Sequence, residues 1–174
     1  MSNEINTRIT LKNVRLSFPS LFKKAMFEGK EGKYEATFLI PKSDKKVYDL
    51  IQSKIKELLD SSGFKISKDK LCLKDCDDVE YAGYADHWSL KSSNSRRPTV
   101  MDSDKTPLTE EDNRIYAGCY VNAIVDFWVQ NNSYGKRINS NLLGVQFLRD
   151  GESLGAAPVD VTELFDDLSA DDFD

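Results

Sequence analysis

Histidine is almost absent from this chain: one residue, His87, stands among 174. That scarcity excludes a two-histidine zinc site and a histidine relay, and a lone histidine on a strand is usually structural. Cysteine is nearly as scarce. Cys72, Cys76 and Cys119 make an odd count in a chain with no mark of an oxidising compartment, so free thiols are expected. Together with His87 they could supply four zinc ligands, but their spacing fits no common zinc module. No apolar run approaches the length of about eighteen residues that a membrane helix needs. Met1-Ser2-Asn3-Glu4 has no basic segment leading into an apolar one, so no secretory signal is expected. Gly29-Lys30-Glu31-Gly32 is too short for a phosphate loop, and no dinucleotide fingerprint occurs. Asp75, Asp77 and Asp78 form an acidic knot without the spacing of a calcium loop, which gives a metal-dependent nuclease little to stand on. The expectation is a chain that is not an enzyme and needs no cofactor or metal.

The composition is 40% apolar, enough for the core of one domain. Charge is distributed unevenly. Residues 150–174 hold nine carboxylates and no Lys or Arg; removing those nine from the 29 acids leaves 20 against 24 bases in residues 1–149. The body is therefore about +4 and the tail −9. Many soluble proteins end in a solvated acidic tail, but a basic body joined to an acidic arm also suits a binder of anionic polymers.

Alternation predicts strands. In residues 7–18, Ile9 and Leu11 share one face and Val14, Leu16 and Phe18 share it again after a slip near Lys12-Asn13, as a bulge would produce. Residues 33–40 place Tyr34, Ala36, Phe38 and Ile40 inward. Asp44 then offers a cap to a helix whose apolar residues run from Val47 to Leu59 and whose stop is Gly63. Residues 64–82 give no clear pattern. Residues 83–91 alternate, with Tyr84, Trp88 and Leu90 on one face; Ser92 to Arg97 reads as a loop or strand edge, and Pro98 to Met101 as a short strand. Thr109 and Asp112 have the spacing of a capping box over a brief helix. From Cys119 to Val129 one face is wholly apolar, while Tyr120, Asn122, Ile124, Asp126, Trp128 and Gln130 form the other. Asn131 to Gly135 is a hairpin turn, and the return strand, about 136–149, sets Leu143, Val145 and Phe147 on one face. Two-faced strands of this kind predict a small closed or partly open barrel with an inserted helix, or a single-layer α+β fold.

Binders of single strands need cations along the backbone path and rings on which bases stack. Candidates on the polar faces are Arg8, Lys12, Arg15, Lys91, Arg96, Arg97, Tyr120, Trp128, Tyr134, Lys136 and Arg137. Each has a bland reading: any one lysine is usually solubilising charge, Trp128 can pack under the hairpin, and Trp88 can serve core or DNA. Phe18, Phe38, Phe127 and Phe147 read as core. In the tail, Phe165, Asp166, Asp167, Asp171, Asp172, Phe173 and Asp174 interleave carboxylates with large apolar groups. Such a strip can lie in a basic groove as a weak DNA mimic or dock its terminal Phe in a partner.

Several segments resemble a known family, the bacteriophage single-stranded DNA-binding proteins, long catalogued as a domain of unknown function. They are Leu16-Ser17-Phe18-Pro19, Thr37-Phe38-Leu39-Ile40-Pro41-Lys42, Arg97-Pro98-Thr99-Val100-Met101-Asp102, Ile115 through Ala123, and Gly144-Val145-Gln146-Phe147 with Asp150-Gly151-Glu152. The likeness runs through most of residues 7–155. It implies a mainly β fold: an OB-fold, five-stranded Greek-key barrel with one inserted helix over residues 1–155, followed by a disordered acidic tail over 156–174. It further implies sequence-tolerant binding of single-stranded DNA in phage replication or recombination, in the cytoplasm of the infected bacterial host. The tail resembles the aromatic-ended tails through which other single-strand binders meet replication or recombination proteins. No membrane partner is expected, and a homodimer is left open. The competing readings are a protein-interaction adaptor acting through its tail and a duplex-DNA-binding accessory protein.

Overall fold

The first strand, β1 (Arg8–Ser20), is held by its alternation. Ile9 and Leu11 point into the core, Asn13 takes a left-handed turn at φ 56°, and Val14 and Leu16 return to the core. Asparagine tolerates that conformation better than most residues, so the bulge costs little. The computed structural model describes residues 7–77, 81 and 83–154. The expectations for residues 155–174, Phe165 to Asp174 among them, lie outside the described residues.

Four more long strands complete a ring with it: β4 (Tyr34–Pro41), β6 (His87–Asn94), β8 (Tyr120–Asn132) and β9 (Gly135–Arg149). Short pieces lie between them: β2 (Met26–Phe27) and β3 (Lys30–Glu31) form a small hairpin, and β5 (Leu73–Asp75) and β7 (Thr99–Met101) flank β6 and β9. Around the ring the order is β1-β4-β6-β9-β8 and back to β1, closed by a parallel contact between Ser93 and Asn141. Counting only ring strands in chain order, neighbours run 1-2-3-5-4-1, a Greek-key barrel of the OB type.

The helix α1 (Lys45–Ser62) joins the second and third ring strands and packs against β1 and β8. Asp44 accepts a bond from the Val47 amide, and Gly63 ends the helix at φ 72° with its N–H on the Leu59 carbonyl. Ile51 and Ile55 bury themselves in the barrel core with Phe38, Val125 and Phe127.

Several expected placements are corrected. Phe18 is not core: it sits at φ 46° and is 56% exposed. Tyr34 is only half-buried, while Leu39, on the opposite face of β4, is fully buried in an outer cluster with Cys76 and Tyr84. Tyr84 thus parts company with Leu90, which lies in the barrel; Asp86 at φ 60° breaks the alternation before β6 begins. Of the loop or strand edge expected at Ser92 to Arg97, Ser92, Ser93 and Asn94 belong to β6 and Arg96 and Arg97 follow it. In β9 a register shift puts Leu142 opposite Val125 and Gly144 opposite Ile124, so Leu142 takes the buried place expected of Leu143. A bulge changes which face a residue occupies without changing the sequence pattern around it.

At the closure of the ring, the buried hydroxyls of Ser92 and Ser140 bond to each other at 2.8 Å. Removing one leaves its partner unsatisfied in a dry site, whereas removing both removes the need. We expect Ser140→Ala to cost about 1–3 kcal/mol in urea unfolding, and Ser92→Ala with Ser140→Ala to cost clearly less than the two singles summed. Additive losses would show that the pair is not coupled.

Candidate nucleic-acid interface

With apolar side chains committed to the interior, the outer faces of the ring carry polar groups and rings. Trp128 on β8 is paired with Asn139 on β9, and Lys91 on β6 pairs with Thr37 on β4, which in turn is followed by Ser17 on β1. Trp128, Asn139, Lys91 and Thr37 border a groove of 610 Å³. Its charged lining is five bases, Lys33, Lys70, Lys74, Lys91 and Arg137, against a single acid, Glu35. The Lys91 ammonium stands 3.7 Å from Glu35 and is still mostly exposed. Gln130 accepts from the Asn139 amide at 2.7 Å, leaving a row of amides and hydroxyls on the floor. Trp128 stands in the lining at 37% exposure. Tyr84 is buried behind, its hydroxyl 2.8 Å from Ser17 Oγ and its phenol pushed up by burial.

Of the residues expected to bind DNA, three line this groove together: Lys91, Trp128 and Arg137. Tyr134 stands nearby at the hairpin tip, 84% exposed. The Lys136 ammonium lies 4.3 Å from the centre of the Phe64 ring. Arg97 lies over Phe22 at 5.5 Å, and Arg96 follows β6 with its N–H on the Asn94 side chain; neither lines the groove. Tyr120 does not join Trp128. Its ring carries the guanidinium of Arg149 at 3.7 Å and that of Arg15 at 5.8 Å. Arg15 also donates to the carbonyls of Gly118 and Glu152, so it ties the departing chain to the barrel. Lys12 borders a separate, more apolar hollow of 440 Å³ with Ile124, Met101 and Leu143, and Arg8 lies opposite Asp126.

Sequence reasoning missed Lys33, Lys70, Lys74 and Tyr81, which also line the groove. Lys70 and Lys74 come from the unreadable stretch around a short 3-10 turn and β5, where the only signal was a density of lysine. The acidic knot has a plain role. Lys42 donates to Asp77 at 2.6 Å and to Asp75 at 2.9 Å, which holds its ammonium firmly charged and keeps the Asp75 carboxyl below the usual range. Asp78 lies outside the described residues. The zinc option fails on geometry, since Cys119 is in the barrel core and Cys76 in the outer cluster. Among the described residues no cluster could hold a metal ion.

Ring order, inserted helix and a basic groove on the outer face define the class, a barrel of the oligonucleotide-binding type. The family model for the ssDNA-binding protein of Enterobacter phage Enc34 matches residues 7–174, and the chain belongs to that family. Protein p50 of Acyrthosiphon pisum secondary endosymbiont phage 1 is 41% identical, covering 93% of this chain and 94% of that one. The solved Enc34 protein is 30% identical with a TM-score of 0.78, covering 95% of this chain and 97% of its own. In its complex with ssDNA the same protein gives a TM-score of 0.78 over 88% of this chain. Bacteriophage T7 gp2.5, a single-stranded DNA-binding protein, shares the fold at 12% identity and a TM-score of 0.62, over 87% of this chain and 96% of its own.

Cys72 lines the groove with its thiol pushed up to about 12 by burial. Because only the thiolate attacks an alkylating agent, we expect Cys72 to be modified by iodoacetamide at pH 8 far more slowly in the folded protein than in urea. Equal rates, followed by mass spectrometry, would contradict that burial.

Proposed function

We propose that the chain coats and protects single-stranded DNA, with little sequence preference, by seating it in the groove across β4, β6 and β9. The observation that carries this reading is the pairing of five cations and one carboxylate with outward-facing rings on a barrel of this family. Phosphates would run along Lys33, Lys70, Lys74, Lys91 and Arg137, and a base would stack on Trp128. Cations reading only the backbone, and rings reading only the π-face, give binding that tolerates any sequence. Such coating suits phage DNA replication or recombination in the cytoplasm of the infected host. The chain divides, on this reading, into a binding domain over residues 1–155 and an acidic arm over 156–174. The arm competes with DNA for the groove and offers Phe173 and its neighbouring carboxylates to replication or recombination proteins.

Fluorescence titration with oligo-dT tests the groove. Trp128→Ala should weaken binding by about 1–3 kcal/mol, and Tyr120→Ala should weaken it far less. Changing Lys74 or Arg137 to Gln should each lower the slope of log K against log salt by about 0.7. An unaltered slope in both, with wild-type affinity for Trp128→Ala, would rule the groove out.

Removing residues 159–174 takes away seven carboxylates. We expect the shortened chain to bind oligo-dT more tightly, most visibly at low salt where charges are least screened. Equal or weaker binding would dispose of the competing-arm idea while leaving the groove intact.

A further inference from the structure

We infer that Phe18 and Tyr81 form a second base-stacking station at the β1 end of the groove, and that the kink in β1 exists to present it. The inference rests on the groove being the DNA site, as proposed above. Alternation along β1 assigns Phe18 to the interior with Leu16. The backbone reverses that assignment: Phe18 lies at φ 46°, and the register with β4 shifts between Ser17 and Ser20. The ring is thereby turned out of the barrel and into the groove lining.

Phenylalanine is a poor choice for that backbone. Left-handed conformations favour glycine or asparagine, and a bulky side chain there is an outlier. Pro19 follows and biases its predecessor toward extended backbone, which adds to the cost. A residue selected only to make the turn would not be aromatic. Strain retained at a binding surface is explained when the side chain itself is needed there.

The surroundings fit a stacking role. Phe18 is 56% exposed and Tyr81 is 59% exposed, both among the groove's lining. Their rings meet edge to face at 5.3 Å. Tyr84 supports both from behind, 6.5 Å from Phe18 and 5.3 Å from Tyr81, and is itself fixed by Ser17. Two exposed rings on one anchored ring make a preformed apolar step that needs no rearrangement to receive a base. Trp128, on β8, borders the same groove, whose lining also includes residues of β1, β4, β6 and β9. The cations Lys91, Lys33 and Lys74 are in the same groove lining as the two stations. A strand lying across the sheet would then have a base held at each end and phosphates neutralised in between.

The test compares oligo-dT affinity, its salt slope and urea stability for Phe18→Ala, Phe18→Asn, Phe18→Trp and Tyr81→Ala, with Trp128→Ala as the reference for the groove. Phe18→Ala, Phe18→Asn and Tyr81→Ala should each weaken binding roughly 5- to 150-fold with no change in salt slope, because no phosphate contact is removed. Phe18→Trp should keep wild-type affinity. Phe18→Asn should unfold at the same or a higher urea concentration, since asparagine relieves the backbone. Wild-type affinity for the Phe18 and Tyr81 variants, with Trp128→Ala weakened, would overturn the second station and leave the groove standing. Lower stability of Phe18→Asn with unchanged affinity would likewise overturn it, marking Phe18 as packing. If Trp128→Ala binds normally as well, the groove itself is refuted.

Discussion

Closure of the sheet governs everything else in this molecule. Five strands can meet in a ring only if each keeps one face for the interior, and here that face is filled by Leu11, Leu16, Phe38, Leu90, Val125, Phe127 and Leu142. The closing seam between β6 and β9 is short, a single Cα pair beside the Ser92–Ser140 hydroxyl contact. Once apolar residues are sealed inside, the alternate positions must face solvent, and they are where polar, cationic and aromatic side chains collect. The groove is a consequence of a packed interior rather than a separate construction.

Departures from regular pairing give that outer face its relief. Asn13, Phe18 and the shift at Leu142 each change the phase of a strand. The Asn13 bulge keeps β1 apolar on its inner side from Ile9 to Leu16. The kink at Phe18 does the reverse and removes a large apolar group from the core. Nearby, Leu39, Cys76 and Tyr84 form a small second cluster against which Leu154 packs, so the chain leaves the barrel beside the groove. Gly83 has its backbone so close to Leu154 that a Cβ there would lie 2.4 Å from the leucine's side chain.

Electrostatics divide the surface. Lys42 is consumed by Asp75 and Asp77, Arg15 by two carbonyls, and Arg149 by Tyr120 and Asn13. The groove cations are less committed: among the described residues the Lys91 ammonium has a long contact to Glu35 and no closer ion pair. Exposed ion pairs of that length contribute little to stability, so exchanging such a contact for a phosphate loses little and releases counterions.

By itself the sequence determined the bulged first strand, the helix from its Asp44 cap to Gly63, the long β8–β9 hairpin and the excess of cation in residues 1–149; periodicity left a barrel beside a single-layer α+β fold, and the family resemblance pointed to the barrel. Trp128, Arg137 and Lys91 were legible as outward-facing because their strands alternate without interruption around them. Only the tertiary structure decided which outward residues are neighbours. Tyr120 and Trp128 share a face of one strand, yet a strand rises about 3.3 Å per residue, and the barrel bends them onto different surfaces. Phe18 was misassigned because parity counts residues and is blind to a left-handed backbone, and Lys70, Lys74 and Tyr81 were missed because irregular segments have no period to read. Distance along a chain fixes facing within an element; proximity between elements is set by how the ring closes.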